Sequence, residues 1–226
     1  MLHVGVGRRS AQNVGSGSGA ALIKALNPTA WYRYGIGITL ATGVSVWADQ
    51  SGNGRNLTQG TAGLQQLLQP DNSILFDGAD DLLTAGAFTL NQPVTYYILG
   101  KQVTWTSLDR VISGVASTVI IIQVGASPQL LLNAGSKAGA NTGLAVDTYG
   151  VIAAVFNSTS SLLQINNGSP VTGDSGTNNP GGFVLADAAG GGASANVQVK
   201  EIILFSAAHD ANTRRKVINY LAQVGN

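Results

Sequence analysis

The sequence predicts an all-β domain, a sandwich or barrel, closed by one short C-terminal helix and preceded by an extended N-terminal arm. Three observations carry this expectation: short apolar runs at near-regular spacing, turn residues between them, and a single segment of helical periodicity. A length of 226 residues suits one all-β domain and can bury a full core without disulfide or metal staples.

The arm comes first. Residues 1–26 hold Arg8 and Arg9 and then Gly15-Ser16-Gly17-Ser18-Gly19, a composition that reads as flexible linker. The domain is expected over 27–226. Within it, Val44-Ser45-Val46-Trp47 alternates as a strand does, and Ser51-Gly52-Asn53-Gly54 turns the chain. Further strands are expected at 73–76, 94–99, 110–113, 119–124, 129–133, 151–157, 162–166, 183–185 and Asn196–Phe205. Asp77-Gly78, Asn166-Asn167-Gly168 and Gly190-Gly191-Gly192 separate them as turns. The helix lies at the end: Asp210 can cap it, and Val217, Tyr220, Leu221 and Val224 fall on one face. Arg214, Arg215 and Lys216 open that helix, at the unfavourable end of its dipole, which points them toward solvent or a partner.

Composition excludes several function classes. The formal net charge is +1, which argues against capture of nucleic acid or an anionic membrane by charge. The N-terminus lacks the apolar core of a signal peptide and no run approaches transmembrane length, so a soluble, unexported chain is expected. Cysteine is absent, so redox compartment is unreadable. Charged residues make up only 10% of the chain, against about 25% in ordinary soluble domains. Together with a mean hydropathy of +0.18, this predicts a surface partly covered by other subunits, as in a homo-oligomer or symmetric assembly.

Several segments in order resemble one family. They are Ala30-Trp31-Tyr32-Arg33, then Val46-Trp47-Ala48-Asp49-Gln50-Ser51-Gly52-Asn53-Gly54, then Phe76-Asp77-Gly78-Ala79-Asp80-Asp81-Leu82, and finally Val199-Lys200-Glu201-Ile202-Ile203-Leu204-Phe205. This series resembles the concanavalin A-like (laminin-G-like) jelly rolls that recur in tailed-phage virion proteins, and it covers about residues 27–226. The resemblance implies a two-sheet antiparallel jelly-roll sandwich. The residues themselves explain the motifs as folding chemistry. Trp47 and Phe76 fill the core, Asp49 bonds turn amides, and Gly52 and Gly54 permit positive φ. A calcium site built from Asp49, Asp77, Asp80 and Asp81 is the functional alternative, because that hard ion takes oxygen ligands. Turn chemistry already accounts for each Asp, so neither a metal nor another cofactor is expected.

Catalytic constellations are thin. Glu201 is the one Glu of the chain, and beside Lys200 it reads as half of a surface pair; a glycosidase would need Asp-only carboxylates. Gly173-Asp174-Ser175-Gly176 matches a serine-protease segment only superficially and reads as a polar loop. His3 and His209 are isolated from any nucleophile, and His209 reads as part of the helix cap. No catalytic residue is assigned. Scarce charge, the Gly/Ser arm and the virion resemblance together imply a non-enzymatic virion structural protein. The form expected is a capsid decoration or cement subunit anchored through its arm, with Arg8 and Arg9 meeting acidic groups on major capsid or tail subunits. The alternative is a carbohydrate-binding host-attachment module of a tail or fibre that engages a cell-surface glycan. Its candidate aromatics are Tyr96, Tyr97, Tyr149 and above all Trp105, whose neighbours are polar. A glycoside hydrolase ranks third.

Overall fold

The computed structural model describes residues 16–116 and 118–224. Arg8, Arg9 and His3 lie outside the described residues. In chain order the elements are α1 (Ser16–Ala25), β1 (Ala30–Tyr32), β2 (Ile38–Leu40), β3 (Val44–Trp47), β4 (Leu57–Thr58), β5 (Leu67–Leu68), β6 (Ile74–Asp77), β7 (Leu83–Ala87), β8 (Val94–Gln102) and β9 (Arg110–Gly114). There follow β10 (Ile120–Gln123), β11 (Leu130–Asn133), β12 (Lys137–Asn141), β13 (Gly150–Phe156), β14 (Ser161–Ile165), β15 (Val171–Gly173), β16 (Gly182–Leu185), β17 (Asn196–Phe205) and α2 (Ala211–Val224).

Antiparallel pairing gathers the strands into two sheets. The first runs β15-β14-β13-β8-β17-β6-β5, with β1 beside the second half of β17. The second runs β12-β11-β10-β9-β16-β7-β4-β3-β2. Their facing sides bury the main core, in which Tyr32, Trp47, Phe76, Tyr96, Phe156 and Phe183 are inaccessible to solvent. Tyr32 and Phe183 meet edge to face at 5.8 Å, and Tyr96 meets both Phe156 and Phe183 the same way. The expected all-β sandwich with a C-terminal helix is the observed fold.

A second, smaller core lies on the outer side of the first sheet. There α2 lays Val217, Ile218, Tyr220 and Leu221 over Trp31, Tyr97, Leu99, Val151, Ala153, Ile203 and Phe205. Covering on both faces explains why β8, β13 and β17 are buried almost without alternation. Asp210 caps α2 as expected, its Oδ1 accepting from Thr213 N at 2.7 Å. Arg214, expected in solvent or at a partner, is instead buried. Its Nε donates to Gln164 Oε1 at 3.0 Å and its Nη1 to His209 O at 2.9 Å, so the charge is spent on tying the helix start to the sheet.

Residues 16–25 also depart from expectation, since the Gly/Ser stretch read as linker enters a helix. Ala20, Ile23 and Leu26 pack on the outer core, and Ile23 is fully buried. Gly19 is required where it stands, because a Cβ there would sit 2.5 Å from Tyr220 Cδ2. Tertiary packing overrides a composition that favours coil.

The Trp47–Gly54 turn is built as its sequence implies. Asp49 Oδ1 accepts from Trp31 N (2.9 Å) and Ser51 N (2.8 Å), and Oδ2 accepts from Ser51 Oγ (2.8 Å) and Arg55 N (3.1 Å). Gly52 and Gly54 take φ of 94° and 71°.

Candidate functional site

The helices cover only part of the outer face of the first sheet; the remainder carries a cluster of charges and rings. A β-bulge creates it. Val199 pairs with Gly100 and Glu201 with Leu99, so the register shifts by one residue at Lys200, the extra residue of the bulge. In an unbroken strand Lys200 and Glu201 would face opposite sides. The bulge instead lets both reach the outer side, Glu201 under α2 and Lys200 beyond it.

Lys200 is 8% exposed. Its Nζ lies 3.6 Å from Asp71 Oδ2, 4.2 Å from the Tyr149 ring centroid and 5.4 Å from that of Tyr34. Lys101, on β8, brings its Nζ 5.4 Å from the same Tyr149 ring and 2.6 Å from Asp147 Oδ1. Tyr34 donates its hydroxyl to Asp71 O, and Tyr149 OH stands 3.4 Å from Asp71 Oδ2. Gln198 reaches Ser73 Oγ from the same strand as Lys200, and Ser73 bonds Asp71. The chain after β1, the β5–β6 turn, β8, the approach to β13 and β17 thus all contribute.

Burial works to raise the Asp71 carboxyl, but hydrogen bonds from Ser73 and the charge of Lys200 outweigh it and hold Asp71 below the ordinary carboxylate range. Burial and the Asp71 charge push the Tyr149 phenol up to about 12, and the same two causes raise Tyr34. At neutral pH the cluster therefore offers the Asp71 carboxylate as an acceptor beside the neutral phenols of Tyr34 and Tyr149. No phenolate nucleophile stands ready in it.

Glu201 borders this cluster. Expected as a surface partner of Lys200, it is buried instead. Its Oε1 accepts from Trp31 Nε1 and Tyr220 OH, each at 2.7 Å, and its Oε2 accepts from Tyr34 N at 3.3 Å. Burial raises its carboxyl against the pull of those hydrogen bonds and of the Arg33 charge. Its neighbours are a tryptophan, a tyrosine and a helix, which makes it the peg that fixes α2 to the sheet.

His209 fixes the start of the same helix. Its ring packs tilted at 47° against Phe205 with centroids 4.3 Å apart, and Nδ1 lies 2.8 Å from Tyr97 OH. Burial lowers its pKa, Asp210 raises it and the Arg214 charge lowers it, with a net shift downward. A depressed folded value means the fold favours the neutral ring. That stability is complete above the unfolded pKa of about 6.5 and is lost as pH falls below it. We expect the melting temperature to drop between pH 7.5 and 5.5 by more in the parent than in His209→Phe, which keeps an aromatic ring against Phe205 without the titration. Equal drops would remove His209 from the account.

The other candidates from the sequence fall elsewhere. Trp105 packs partly buried against the main core and donates Nε1–H to Gly125 O at 3.2 Å. Tyr96 and Tyr97 are fully buried, one in each core. Ser175 is buried against Ser161 Oγ at 2.7 Å, and Asp174 Oδ1 accepts from Gly176 N, so that segment is a turn. Asp77, Asp80 and Asp81 each bring an oxygen within 4.8 Å of the others, and Asp49 is not among them. Asp77 Oδ1 accepts from Ala79 N, and Asp81 Oδ2 accepts from Asp77 N. Burial raises the Asp81 carboxyl, and the charges of Asp77 and Asp80 add to it against that amide bond.

No family model and no curated protein matches the sequence. Solved structures share its fold. Trypanosoma rangeli sialidase, in its covalent complex with 2,3-difluorosialic acid, superposes with a TM-score of 0.65 at 11% identity over 87% of this chain. A point variant of a GH54 α-L-arabinofuranosidase soaked with 4-nitrophenyl α-L-arabinofuranoside gives 0.61 at 13% identity over 80%. An arabinofuranosidase complexed with arabinofuranosyl-α-1,2-xylobiose gives 0.58 at 15% identity over 80%. The chain spans 33% of the sialidase and 51% of each arabinofuranosidase. These likenesses show a lectin-like jelly-roll sandwich. They also correct the expectation of a non-enzymatic virion decoration subunit, because the structures just named are glycoside hydrolases. Sparse charge and an apolar surface do not separate capsid parts from carbohydrate-active sandwiches, and the carboxylate count that set enzymes aside did not test the fold.

Proposed function

We propose that this chain is the carbohydrate-recognising sandwich of a carbohydrate-active protein, with its sugar contact at the Tyr34–Tyr149–Lys200 cluster. The observation that carries the reading is the bulge at Lys200, which collects two tyrosine rings and two lysine–carboxylate pairs on an otherwise covered sheet face. Sugar sites combine ring faces with a few fixed donors and acceptors. Neighbours solved with arabinofuranosyl ligands support the reading by analogy of fold. Tyr149 is taken as the principal aromatic ahead of Trp105 because its ring stands beside both Lys101 and Lys200, whereas the partly buried Trp105 packs against the main core.

The test is a glycan array followed by calorimetry. Tyr149→Ala is expected to weaken the best ligand about tenfold or more, the factor that about 1.4 kcal/mol represents, with melting temperature nearly unchanged. Binding that survives Tyr149→Ala but disappears in Trp105→Ala would return the contact to Trp105 and overturn the assignment.

A hydrolytic reading has one observation of its own. The raised Asp81 carboxyl has an oxygen within 4.8 Å of oxygens of Asp77 and Asp80, and paired carboxyl groups are what glycoside hydrolysis requires. Release of 4-nitrophenol from a 4-nitrophenyl glycoside, lost on changing Asp81, would favour it.

A further inference from the structure

We infer that the cluster selects neutral sugars bearing vicinal hydroxyls and rejects acidic ones, an inference that rests on the carbohydrate reading above. Each cation of the site is already neutralised. Lys101 holds Asp147 at 2.6 Å and Lys200 holds Asp71 at 3.6 Å. The Tyr149 ring lies beside both ammonium groups and the Tyr34 ring beside Lys200, and ring faces carry the negative end of a quadrupole. A sugar carboxylate entering here meets two carboxylates and two electron-rich rings before it reaches an unscreened ammonium.

A hydroxyl meets no such barrier, because it donates and accepts at once. Of two adjacent hydroxyls, one can accept from a lysine while the other donates to the paired carboxylate. Asp147 is the more open half of this device, its side chain 70% exposed against 44% for Asp71, which is also bonded to Ser73 and paired with Lys200. Selectivity against acids therefore resides mainly in Asp147.

The full chain is screened against matched pairs that differ only in the acidic group, such as lactose with sialyllactose and xylobiose with its glucuronosyl derivative. Neutral members are expected to bind at least about threefold more tightly, with little dependence on salt. Asp147→Asn removes an exposed charge, leaves Lys101 unneutralised, and is expected to raise affinity for the acidic members about threefold or more. A gain of binding does not arise from misfolding. Preference for the acidic members in the parent chain would overturn the selectivity and leave the carbohydrate reading intact. No binding to any member of the full array would overturn both.

Discussion

Glu201→Ala is expected to lower folding stability by about 2–4 kcal/mol and to release α2 before the sheets unfold. Trp31 Nε1 and Tyr220 OH each give their hydrogen bond to Glu201 Oε1, and both side chains are buried. Removing the acceptor strands two donors, at a cost of about 1–3 kcal/mol each. Loss of a buried carboxylate, whose raised pKa records what its burial costs, offsets part of this. Glu201→Gln keeps an acceptor for Trp31 and Tyr220 but turns an amide donor toward Tyr34 N, and should retain more than half of the lost stability. Urea denaturation gives the magnitude, and hydrogen exchange gives the place: α2 amides should lose protection while those of β8 and β17 keep theirs. Unchanged stability in Glu201→Ala would mean that apolar packing alone holds α2.

The long strands were legible because each carries a long apolar run: all of β13, the first two thirds of β8 and the second half of β17 read as hydrophobic sequence. Strands β7 and β12, with sequences LTAGA and KAGAN, were not legible, since small residues show no alternation. In α1 the glycines and serines masked a packing face made of Ala20, Ile23 and Leu26. The site was the least legible part. Tyr34, Asp71, Lys101, Tyr149 and Lys200 come from five separate stretches, and no local motif joins them. One signal was present. Adjacent Lys200 and Glu201 interrupt an apolar strand, and two neighbouring charges in a strand with both faces covered require either a costly burial or a bulge. The bulge is what the structure contains. Glu201 looked like a surface residue because it stands beside Lys200, and sequence alone does not show the α2 side chains that bury it.

Trp47→Ala is expected to cost about 3–5 kcal/mol, the range for deleting a fully buried aromatic. Its ring packs 5.7 Å from Tyr32 in the main core, and Nε1 donates to Arg33 O at 3.1 Å. Trp47→Phe preserves most of the buried surface and loses that hydrogen bond, so a cost of about 1–2 kcal/mol is expected. The comparison decides what the most conspicuous segment of the sequence does. Trp47 and Asp49 anchor the core and the following turn, and neither belongs to the Lys200 cluster. A destabilised but folded Trp47→Phe protein should bind glycan as the parent does, whereas Tyr149→Ala should fold as the parent does and bind poorly. If Trp47→Phe lost glycan affinity while remaining folded, the recognition surface would lie at the Trp47–Gly54 turn and not on the bulged face of the first sheet.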